Sequence, residues 1–117
     1  MTDVLNTAIP IPRQHRFPTL GEKPLNACFV SAELVLAASG LPLEGAVMTL
    51  EPKGALFREY THFILDRRNQ RATLRLGAEE RTCMITRTTD RGYLVRFDEP
   101  LSANIVDDLV TRYPMPG

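Results

Sequence analysis

Residues 43–57 constrain this chain more than any other stretch. An apolar run through Ala46, Val47, Met48 and Leu50 meets Glu51-Pro52-Lys53-Gly54, and Ala55-Leu56-Phe57 then restarts it. Pro52 fixes its own φ and removes a backbone donor, and Gly54 tolerates positive φ, so no single helix or strand runs through the tetrapeptide. The stretch predicts a strand, a sharp polar turn and a second strand. A turn between two β runs sets backbone N–H groups and side chains at the rim of a β body, where small β-proteins commonly place their binding chemistry.

The flanking segments extend the same reading. Residues 71–76 alternate polar and apolar side chains, the period of a half-buried strand. Residues 81–88 and 93–97 are β-like runs joined by Thr89-Asp90-Arg91-Gly92, the strongest hairpin signal in the chain. Residues 25–40 contain good helix formers from Ser31 to Ala38 but end at Gly40. Because the stretch after Gly40 is β, two strand pieces or one long bent strand are expected there. Residues 58–66 mix aromatic and β-branched side chains and leave room for a further strand before the polar break at 66–70. Near the C-terminus, Ser102 is a candidate N-cap, and Ile105, Val106, Leu109, Val110 and Tyr113 form one apolar stripe on a helix over 102–113. Pro114 and Pro116 stop it. The expected fold is a six- to seven-stranded antiparallel β-barrel with one C-terminal helix.

A chain of 117 residues fits one domain. Residues 1–12 lack periodicity and are expected to form a flexible arm, leaving 13–117 as the barrel domain with its terminal helix. Fourteen basic residues balance fourteen acidic ones, which withholds the cationic excess of a general nucleic-acid binder. Cys28 and Cys83 lie in apolar segments without a CxxC or a neighbouring histidine. Two reduced, buried thiols are expected, with no metal site and no cofactor. No apolar stretch approaches the ~18 residues a membrane-spanning helix needs. The N-terminus has no basic region followed by an apolar core. A cytoplasmic protein without membrane insertion is the expectation.

Three features together resemble the PilZ domain family. An arginine-bearing arm, Arg13-Gln14-His15-Arg16-Phe17-Pro18, precedes the first strand. In the turn, Gly54 stands where that family closes its [Asp/Asn]-x-Ser-x-x-Gly motif. Residues 89–101 are similar to the family's last hairpin strand, with Val95-Arg96-Phe97 and a short polar exit, and a C-terminal helix is present in many members. The resemblance spans about residues 13–101 and implies a six-stranded barrel acting in bacterial cyclic di-GMP signalling or motility control. In nucleotide-binding members an Arg-x-x-x-Arg arm grips phosphates and guanines, and the turn motif hydrogen-bonds a guanine.

This chain departs from that pattern. Arg13 and Arg16 are three residues apart, one short of the family spacing, and Thr49 and Glu51 replace the Asp/Asn and the Ser. An added carboxylate repels an anionic ligand. The resemblance therefore implies a regulatory protein working through an unidentified protein partner, with cyclic di-GMP binding through Arg13, Arg16 and Gly54 as the alternative. Two further classes have less support. Arg67, Arg68, Arg71 and Arg75 cluster near Tyr60 and Phe63, the parts of a single-strand nucleic-acid groove, but balanced charge and the absence of Trp oppose it, and no DNA partner is expected. His15 and His62 stand apart from any nucleophile, and no paired carboxylates or phosphate-cradling glycine loop occur, so no catalytic residue and no enzyme is expected.

Overall fold

The computed structural model describes residues 26–61 and 64–116. Six strands appear in chain order: β1 (Ala27–Leu36), β2 (Pro42–Glu51), β3 (Gly54–Glu59), β4 (Arg71–Leu76), β5 (Glu79–Thr89) and β6 (Gly92–Phe97). They close into an antiparallel barrel in the order β1-β2-β3-β6-β5-β4, with β4 paired back onto β1. A single helix, α1 (Ala103–Arg112), completes the described fold. Local hairpins account for β1–β2, β2–β3, β4–β5 and β5–β6. The two remaining pairings, β3–β6 and β1–β4, bring distant parts of the chain together and close the barrel.

Alternation fixes which face turns inward. Ala72, Leu74 and Leu76 of β4, and Tyr93, Val95 and Phe97 of β6, are buried at every second position. In β2 the inward set changes parity, from Leu43 and Val47 to Leu50. The register slips between Val47 and Thr49, so Met48 is an extra residue that re-aims the strand. That slip explains the unbroken apolar run in the sequence. A second slip, between Ala27 and Val30, bends the start of β1, so the described part of the 25–40 segment holds one bent strand followed by a turn. Among its described residues the 58–66 stretch supplies no seventh strand. β3 ends at Glu59, and the described residues from there to β4 form an irregular crossover.

Ser102 caps α1 as the sequence predicts, its hydroxyl accepting from the Ile105 N–H at 3.2 Å. Val106 and Leu109 are buried against the barrel, and Ile105 and Val110 pack beside them. Tyr113 departs from the expected stripe. It is exposed and serves as the C-cap, while its carbonyl accepts from the Phe29 N–H at 2.9 Å. The helix is thereby anchored along β1 and β2.

Candidate functional site

The turn between β2 and β3 is short because Glu51 pairs directly with Gly54, leaving Pro52 and Lys53 as the connection. Both of its carbonyls are hydrogen-bonded. Lys53 C=O accepts from the Phe97 N–H and Pro52 C=O from the Leu101 N–H, both at 2.8 Å. The turn is thus braced by the exit from β6 and by the residue that leads into α1. A shallow depression of about 290 Å³ lies beside it, lined by Thr49, Glu51, Lys53, Gly54, Leu94 and Arg96 among others. All three positions of the turn pattern, 49, 51 and 54, border this one surface.

Gly54 has a different physical reason from the one its sequence suggests. It is not in the left-handed region. Its absent side chain would point at the backbone of β6. A Cβ there would collide with the Val95 carbonyl oxygen and lie 3.5 Å from the Val95 carbonyl carbon. The glycine permits close approach of β3 and β6, and that space is filled from within the barrel. Arg13 and Arg16, the other two residues expected at the site, lie outside the described residues, as do His15 and His62.

The charges outside the barrel divide into two groups. On the β1–β4–β5 side, arginines are neutralised. Arg75 bridges Glu33 and Glu80, Arg81 meets Glu79, and Arg71 pairs with Asp98, which also accepts from the Thr82 hydroxyl at 2.7 Å. Arg68 is held by Asp66, and Arg67 donates to the Tyr93 hydroxyl at 3.2 Å. The run of arginines that suggests a nucleic-acid groove is therefore engaged within the protein. The side chains of Lys53, Arg58, Arg87, Arg91 and Arg96 form no ion pair and no hydrogen bond with a described residue. Sequence reasoning reaches Lys53, as a partial substitute for the family's arginines, but misses Arg58, Arg87 and Arg96. The available signal was their outward position in the strand alternation.

Comparison with family models, curated proteins and solved structures finds no match to this chain.

Burial pushes the thiols of Cys28 and Cys83 each up to about 11, so both are protonated and unreactive near neutral pH. Hydrogen bonds from Arg71 and Thr82 hold the Asp98 carboxyl below the usual carboxylate range. Among the described residues, no three His, Cys, Asp or Glu side chains group as metal ligands, and no helix is long and apolar enough to cross a membrane.

Proposed function

We propose that this chain is a small PilZ-like regulatory module of bacterial cyclic di-GMP signalling or motility control, cytoplasmic, acting by contact with a protein partner. The observation that carries this reading is the depression beside the β2–β3 turn. Its rim bears the exposed carboxylate of Glu51 where the family resemblance places a serine, and the space beside Gly54 is taken by the Val95 carbonyl. A diphosphate ligand would meet a like charge and would lack the guanine contacts of the turn. Each charge-assisted hydrogen bond so lost weakens binding by about 1.5–3 kcal/mol.

Titration of the full chain with cyclic di-GMP, followed by calorimetry and amide shifts, tests the proposal. The expected result at physiological salt is no saturable binding at micromolar concentration. Tight binding would overturn it in favour of a second reading, a cyclic di-GMP receptor with an altered site. Lys53 and Arg96, which border the same depression and pair with no described residue, favour that alternative. It requires the Arg13→Ala/Arg16→Ala double variant to lose affinity and the Glu51→Ser variant to gain it.

A further inference from the structure

We propose that the outer face of β3 and β6 docks an acidic, extended segment of a partner protein with one apolar side chain between its acids. The inference rests on the reading of the chain as an interaction module and names the chemistry of its partner.

The face is built by register. Leu56 and Leu94 stand directly opposite each other on adjacent strands and are half-buried, pointing away from the core. Arg87 faces Leu94 from β5, and Arg96 lies two residues beyond Leu94 on the same face of β6. Arg58 lies two residues beyond Leu56 on β3, and Lys53 sits at the turn end of that strand. Residues two apart on a strand are separated by about 7 Å, so cations bracket the leucine pair along the strand direction at that spacing.

An extended peptide presents its own side chains at i, i+2 and i+4 with the same repeat. An acid, an apolar residue and a second acid therefore match the cations and leucines in order. Arginine suits carboxylates because its planar guanidinium donates two parallel hydrogen bonds.

The distribution of charge singles out this face. The net charge is zero with His neutral, so four cations gathered on one face are a local excess rather than a general basicity. Three acids border it, Glu51 at the turn end and Glu59 and Asp90 beside Arg58 at the other, and none of them pairs with these cations. A single-stranded nucleic acid would need aromatic platforms. The exposed aromatics among the described residues are elsewhere: Tyr60 lies beside Ser31 and Glu44, and Phe29 is bonded to the helix end at Tyr113. The barrel is closed, so a partner strand finds no free sheet edge to extend, and side-chain contact on the face is the mode that remains.

The test is to pan a displayed library of random peptides against the full chain. Enriched sequences are then synthesised and titrated into the wild type, the Arg87→Glu/Arg96→Glu variant and an Arg75→Ala control. The expected result is enrichment of Asp or Glu at two-residue spacing around an aliphatic residue. Amide shifts should centre on β3 and β6, and affinity should fall at least 10-fold on charge reversal but stay unchanged in the control. Unaltered thermal melting verifies that the exposed reversals leave the fold intact. No enrichment, enrichment without an acidic pattern, or binding indifferent to the reversals would each overturn the inference. Preference for a single-stranded oligonucleotide of equal charge would overturn it in favour of nucleic acid. The parallel cyclic di-GMP titration separates the two failures. A silent library with no nucleotide binding removes this surface alone, whereas tight nucleotide binding removes the interaction-module reading beneath it.

Discussion

Gly54 faces backbone rather than a side chain that could swing away. A methyl group there would meet the Val95 carbonyl, so β3 and β6 would have to separate across the pairing of Gly54 with Arg96. Forcing atoms into such a contact costs about 1–3 kcal/mol. Gly54→Ala is expected to lower the urea midpoint accordingly with an unchanged m-value. Lys53→Ala, one position earlier and exposed, should stay within about 0.5 kcal/mol of wild type. Similar midpoints for the two variants would sink the idea that the barrel itself requires this glycine. The sequence does announce that residue 54 is special, since a glycine closes a Pro-containing turn. What it withholds is the neighbour, because Val95 reaches the site only through the β3–β6 pairing.

At the scale of the element, α1 is the part most fully legible beforehand, because its cap, its apolar spacing and its terminating prolines are all local. Only the role of Tyr113 changes, and that depends on a distant hydrogen bond to Phe29. Ser102→Ala should cost about 1 kcal/mol through the lost cap. Leu109→Ala should cost about 2–4 kcal/mol through the cavity it leaves. Thermal melts followed in the helical circular-dichroism band read both, and a neutral Leu109→Ala would mean that the helix is not docked. The Asp98 junction joins β4, β5 and the exit from β6, through Arg71 and Thr82. Its carboxyl titrates lower in the folded state than its ordinary ~3.9. The contribution to stability is therefore present above that value and is lost as pH falls through the folded one. Asp98→Asn should melt earlier than wild type at pH 6, with the difference shrinking toward pH 2. Curves that run parallel down to acid would show that Asp98 is not linked to folding.

For the molecule as a whole, the β character and the hairpins come from alternation and turn chemistry, but closure and charge pairing do not. Arg71 and Asp98, or Arg75 and Glu33, are far apart in sequence and meet only once the strands have paired. The short-range pairs, Arg68 with Asp66 and Arg112 with Asp108, are the ones a sequence reader can anticipate. This is why the arginine run at 67–75 looks like a binding groove in the sequence and is a set of surface pairs in the fold. The same long-range step decides whether the sheet has edges. β1 pairs with β4 from Ala32–Leu76 to Leu36–Ala72, and Leu34 and Leu74 are fully buried at the middle of that seam. A closed barrel can release those amides only by opening the seam, which exposes its leucines and unpairs two strands at once. Native-state hydrogen exchange should therefore find the hydrogen-bonded amides of residues 32–36 and 72–76 exchanging with the same free energy as those of the β5–β6 hairpin, close to that of global unfolding. Exchange along either strand much faster than in that hairpin would mean an open sheet with two free edges. An open sheet would restore strand addition as a docking mode and weaken the case for side-chain recognition on the β3–β6 face.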